Sequence, residues 1–128
     1  MITLLKLVAV LEGATGIALT INPDLVTRWL FGGGVSGAGL ALSRVAGFAL
    51  LALGLACWPD REIGSRTTRT GELLPTGALF AYSLLAAIYL AYLGVFVHVA
   101  GTLLWPAVAV HAAAVLLTGL TLSHARQH

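Results

Sequence analysis

Met1-Ile-Thr-Leu-Leu-Lys6-Leu-Val-Ala-Val-Leu-Glu12-Gly-Ala-Thr-Gly16-Ile-Ala-Leu-Thr20 opens the chain. The run is apolar except for one lysine near its start and one glutamate in its middle. About 20 apolar residues are what a helix needs to cross the hydrocarbon core of a bilayer. A carboxyl group at mid-bilayer depth costs a few kcal/mol, so Glu12 marks a site of interest by its position alone. The run does not read as a signal peptide. No basic block precedes it, Glu12 interrupts it, and three more apolar runs follow.

Those three runs lie at about 36–58, 76–98 and 102–123, and the first covers about 2–21. The 128-residue chain is 59% apolar and 9% charged, with mean hydropathy +0.95. A soluble domain carries about 25% charged residues. One integral membrane domain over residues 1–128 is the resulting expectation: all-α, a bundle of four transmembrane helices. Leu, Ala, Val and Gly dominate the runs, which suits helices better than barrel strands. Net charge is +2 with no basic block, which argues against a nucleic-acid partner. Cys57 is the single cysteine, so an internal disulfide and a C-x-x-C redox pair are both excluded.

The basic residues set the expected orientation. Arg61, Arg66 and Arg69 stand between the second and third runs, Arg126 in the tail, and Lys6 near the start. Arg28 stands alone on the other side. The positive-inside rule then places both termini and the loop at residues 59–75 in the cytoplasm. Val99-Ala-Gly101 is a short connection, so runs three and four form an antiparallel hairpin. Between runs one and two, Asn22 suits an N-cap and Pro23 a first helical turn. A short interfacial helix is expected there, with Leu25, Trp29, Leu30 and Phe31 on its apolar side. The glycines from Gly32 to Gly39 let the chain turn back. Pro59 is read as the stop of run two, and Trp58 and Trp105 as interfacial anchors.

At 1.5 Å per helical residue, Glu12, Arg44, Tyr89 and His111 all fall about 15–21 Å from the cytoplasmic ends of their runs. Each run thus offers one ionisable or hydroxyl-bearing group at similar depth. Arg44 is permanently charged, and Glu12 is the one acidic residue inside any run, so the expected pair is Glu12–Arg44. It reads either as an architectural ion pair or as a ligand-binding or proton-handling site. His111 reads as an interhelical hydrogen bond, a proton carrier or a ligand contact. His98 sits too far along the third run to share a haem with it. No plausible metal ligand set is visible. Tyr82, Tyr89 and Phe96 recur every seven residues and share a face. That face is a packing surface, or an aromatic wall suited to a quinone or another hydrophobic ring ligand. Gly39, Ser43 and Gly47 form a small-residue stripe for a close helix contact, within the bundle or between chains. The loop at residues 59–75 carries neither a nucleophile–base pattern nor a phosphate loop.

The segments Glu12-Gly-Ala-Thr-Gly16, Asn22-Pro23, Ser43-Arg44-Val-Ala-Gly47 and Trp105-Pro106-Ala107 followed by His111 resemble the small four-helix DoxX-like membrane proteins, which include domain-of-unknown-function members. The likeness covers most of the chain and rests on layout and short motifs. It implies a link to respiratory or thiol-redox membrane assemblies, with Glu12, Arg44 and His111 as the polar positions of interest. The cysteine pair of the redox members is missing here. Glu12 in the first helix also resembles the membrane glutamate of small multidrug resistance transporters. The long loop at 59–75 and the segment Ala81-Tyr-Ser-Leu-Leu85 depart from that pattern.

The leading expectation is a non-catalytic accessory or assembly subunit of a larger membrane complex in a bacterial inner membrane. It would carry a buried Glu–Arg–His network and bind a membrane protein partner or a further copy of itself. The alternatives are a binder or enzyme for a quinone- or isoprenoid-like ring, and a proton-coupled exporter. No cofactor is required by the first of these readings.

Overall fold

A largely apolar stretch without proline runs from Ile2 to Ile21 and forms the first helix, α1. It ends where Asn22 leaves the helical region and its side chain accepts from the Leu25 amide at 3.2 Å. Pro23 follows at the first helical position, where its missing N–H costs nothing. The second helix, α2, runs Pro23–Phe31 and closes on Gly32 with φ of 76°. That conformation is open to glycine and strained for other residues. The remaining helices are α3 (Ala38–Ala56), α4 (Arg69–Val95) and α5 (Leu104–Arg126). The computed structural model describes residues 2–58 and 69–126, and the side chains of 6–58 and 75–123. The readings placed on Pro59, Arg61, Arg66, the side chain of Arg69, and the Arg126 side chain lie outside the described residues.

The all-α architecture is as expected, and the described residues contain no strand. Ala38–Ala56, Pro75–Val95 and Leu104–Ser123 are each long and apolar enough to cross a membrane. Little of their surface is buried inside the molecule. Leu42, Leu55, Leu85, Phe96 and Leu116 are among the large apolar side chains left outside. Apolar surface on that scale calls for lipid or another protein around it rather than water. The chain is a membrane protein by this measure.

Two helix pairs make up the molecule. α1 lies closest to α3, and α4 to α5. Both pairs are antiparallel. A Cβ on Gly54 would meet Ala9 and Gly13, while Gly47 sits against Gly16 and Thr20, so the numbering climbs on α1 as it falls on α3. On the other side Gly94 meets Leu104 and Trp105, while Phe80 meets Gly119. The pairs meet through side chains. Val8, Ala9, Cys57 and Leu79 form one buried cluster, with Leu53 against it. The described ends of α1 and α5 therefore lie at the same end of the bundle, and α2 lies at the other.

Inward positions alternate three and four apart, the spacing that keeps a seam facing its neighbours in a bundle. On α4 they are Thr76, Leu79, Ser83, Ala86 and Leu90; on α5, Leu104, Ala107, His111, Ala114, Thr118 and Thr121. Many are small or hydroxylated, as suits helices whose association in lipid depends on close packing. Thr118 is buried and returns its hydroxyl to the Ala114 carbonyl at 2.6 Å.

Four boundaries differ from the sequence reading. α3 begins at Ala38, because Gly37 holds φ of 54° and breaks the helix before it. α3 also stops at Ala56, with Cys57 as its C-cap, so Trp58 lies in the turn that follows. α4 begins at Arg69 and carries Pro75 inside it. Proline so near a helix start forfeits only a bond of the first turns, so it did not mark the boundary. The hairpin turn spans residues 96–103 and is longer than expected. In it the Val99 amide donates to the Leu93 carbonyl at 3.1 Å, and His98 holds φ of 58°.

The small-residue stripe also differs in register. Gly47 does lie in the α1–α3 contact, within the chain. Gly39 meets only Val35 among its neighbours. The contact continues through Leu51 and Gly54, with Gly16 opposite. The seam follows three- and four-residue steps, whereas a strict four-residue stripe winds away from it.

Candidate functional site

Glu12 stands at the midpoint of α1, 7% exposed. α1 turns Val8, Ala9, Glu12 and Gly16 inward on one face, so the carboxyl points between the two helix pairs. From α4, the Tyr82 hydroxyl comes within hydrogen-bonding reach of it. From α5, His111 Nδ1 lies 3.9 Å from Glu12 Oε1. That is too long for a good hydrogen bond and close enough for an ion pair when the imidazole is protonated. The Tyr82 and His111 rings meet edge to face with centroids 5.5 Å apart. One group from each of three helices therefore converges at mid-height.

Glu12 and His111 come together as the depth count anticipates. The other two expected members do not join them. Arg44 is exposed on α3, and the expected Glu12–Arg44 pair is not formed. Among the described residues the carboxylate–guanidinium pair is Asp24–Arg28, and Glu12 faces His111 instead. The reason is register before rotation. Gly47 sits against Gly16 and Thr20, and Gly54 against Ala9 and Gly13, so Arg44 stands level with the α2 end of α1, well away from Glu12, and its side chain is exposed. Tyr89 is 61% exposed, and Tyr82 takes its place in the site. Tyr82 is beside Ser83 on the seam. Tyr89 lies two turns beyond Tyr82, about 10 Å further along α4 by the helical rise. Counted from the observed start of α4 at Arg69, the tyrosine at the expected depth is Tyr82. The expected aromatic wall is split: Tyr82 enters the site, while Tyr89 and Phe96 lie on the outer surface, where Phe96 stacks with Tyr92 at a centroid distance of 5.5 Å.

Depth counting brought Glu12 to His111 and missed Tyr82. The signal for Tyr82 was there: it adjoins the three-four pattern of Leu79, Ser83 and Leu90. Two further groups went unread. The Cys57 thiol is buried within electrostatic reach of Glu12, and its Sγ lies 3.9 Å from the Pro75 carbonyl. Ser83 is fully buried, and its Oγ has no hydrogen-bond partner.

The chemistry of the centre follows from its members. A carboxyl, a phenol and an imidazole can each hold or pass a proton, and none carries a permanent positive charge. Among the described residues no three His, Cys, Asp or Glu side chains gather as metal ligands would.

A second polar feature sits at the α2 end. The Asp24 carboxylate accepts from Arg28 Nε at 2.8 Å and from the Val35 amide at 3.2 Å. The Arg28 guanidinium holds the Asp24 carboxyl below its ordinary range. The pair ties α2 to the end of the glycine loop. α2 is tied in turn to the α4–α5 hairpin, where the Leu103 amide donates to the Trp29 carbonyl at 2.9 Å.

No protein-family model matches the chain, and neither curated proteins nor solved structures match it significantly.

Proposed function

We propose that the chain is a four-helix protein of a bacterial inner membrane, and that its Glu12–Tyr82–His111 centre exchanges a proton with a hydrophobic ring ligand of quinone or isoprenoid type. α1 is the fourth span in this reading. Both termini and the loop at residues 59–75 face the cytoplasm, on the strength of the basic residues in that loop and tail. The single observation that carries the reading is the company Glu12 keeps. A carboxyl inside a membrane bundle, beside a tyrosine hydroxyl and facing a histidine rather than an arginine, is free to change its charge. Intramembrane acids placed this way serve proton relays and ligand sites.

The test is native mass spectrometry of the protein extracted gently from its own membrane. A co-purifying ring molecule, lost in Glu12→Gln and in His111→Ala, is the expected result. A stoichiometric protein partner with no small molecule would overturn it. That outcome belongs to a second reading, an accessory or assembly subunit. The exposed α4 face with Tyr89, Tyr92 and Phe96 supports that reading, since aromatic residues are enriched at protein contacts. The likeness to DoxX-like proteins agrees with it. A bare homodimer would favour the exporter.

A further inference from the structure

Arg44 lies in Ala38–Ala56, a stretch apolar and long enough to cross a membrane, and its side chain is exposed. It has no anionic partner among the described residues. Glu12 faces Tyr82 and His111, and Asp24 holds Arg28 and the Val35 amide. A guanidinium keeps its charge, and hydrocarbon offers it neither water nor an anion.

The helix gives Arg44 a direction. Side chains lean towards the N-terminus of their helix, and Arg44 is about 9 Å from the start of α3 by the helical rise. The arginine stem covers most of that distance, as snorkelling side chains do. The guanidinium thus rises to the α2 end of the bundle. Leu25, Trp29 and Trp105 are exposed at that end, the pattern of a membrane–water interface. Below Arg44, four and eleven residues on, Phe48 and Leu55 continue the same face and are more than half exposed. Arg44 to Leu55 covers roughly 16 Å, about half of the ~30 Å hydrocarbon core. A cation at headgroup level above one leaflet's depth of apolar surface has the shape of a phospholipid.

We infer that Arg44 and the α3 face below it bind an anionic phospholipid. The guanidinium takes the phosphate through paired N–H donors, and an acyl chain lies along Phe48 and Leu55. A zwitterionic headgroup carries its own cation beside the phosphate, and that cation competes with Arg44. The bilayer supplies phosphate at this level without any protein partner.

The experiment is native mass spectrometry of the full chain in detergent, titrated separately with phosphatidylglycerol and with phosphatidylcholine of matched acyl chains. Wild type is expected to retain phosphatidylglycerol in preference. Arg44→Gln should lose that preference by several-fold. Arg44→Lys should keep part of it, because an ammonium is a charge without the planar fork. Both variants change an exposed side chain, so folding is retained and is checked by circular dichroism. Equal phosphatidylglycerol retention by wild type and Arg44→Gln overturns the inference. So does a dimer that Arg44→Gln dissociates, which would mean that a second copy covers this face. Glu12→Gln lies outside the site and leaves lipid retention unchanged, so this result is independent of the ring-ligand reading.

Discussion

Tyr82 and Glu12 show what a single polar contact decides in this protein. The phenol lies within hydrogen-bonding reach of a buried carboxyl, and removing one partner leaves the other buried without that contact. Tyr82→Phe should therefore lower stability in detergent by roughly 1–2 kcal/mol, read by thermal or denaturant unfolding. Glu12→Leu strands the phenol in the same way, whereas Glu12→Gln can still accept from Tyr82 and should cost less. A double-mutant cycle separates the partners. Glu12 with Tyr82 should show a coupling of about 0.5–3 kcal/mol, and Glu12 with Arg44 should be additive within about 0.5 kcal/mol. A large Glu12–Arg44 coupling would contradict the exposed placement of Arg44. The residue scale was half legible in the sequence. A lone acid in an apolar run announces itself, and so does a histidine at matching depth. Its neighbour depends on where each helix begins and how it is rotated, and depth counted from the apparent start of an apolar run resolves neither.

At the scale of elements, the α1–α3 contact depends on glycine. A Cβ on Gly16 would come within 2.7 Å of the Gly47 carbonyl oxygen and 2.9 Å of the Leu51 amide. Backbone cannot give way as a flexible side chain can. Gly16→Ala should cost about 1–3 kcal/mol through overpacking, despite alanine's better helix propensity. Gly13→Ala is the contrast, with nothing within 4 Å of its new methyl. There the propensity gain of about 1 kcal/mol should appear. Unfolding of the two variants side by side checks both signs. The strap at α2 carries a pH dependence. Arg28 depresses the folded-state pKa of Asp24, so the stabilisation is fully present above the ordinary aspartate value of about 3.9. It fades as pH falls through the lower, folded value. Hydrogen exchange at the Val35 amide should accelerate, beyond its intrinsic pH dependence, at the acid end of that window. Asp24→Asn should remove this change. The capping residues Asn22 and Pro23 were readable beforehand because a helix start is a local event. The start of α4 was not, since a proline in the second turn breaks the pattern without ending the helix.

Across the whole molecule, two helix pairs meet through side chains at Glu12, Cys57, Leu79, Tyr82 and His111. Cys57 is buried between them, so it reports on their separation. Maleimide labelling of Cys57 in detergent should be slow in wild type and markedly faster in Glu12→Leu, which removes the polar contact between the pairs. Equal labelling rates would show that the contact at Glu12 does not hold the pairs together.

By itself the sequence determined the helical membrane class, the short helix α2 and the meeting of Glu12 with His111 at one depth. These follow from composition, local capping and the fixed rise of a helix. Only the tertiary structure decided which face of each helix turns inward. That placed Tyr82 with Glu12 and His111, and left Arg44 and Tyr89 outside. The physical reason is that all four long helices are apolar nearly all round, so no amphipathic stripe in the sequence tells the inner face from the outer. Close packing of Gly16, Gly47 and Gly54 set the rotation of α1 and α3, and that rotation chose the members of the site.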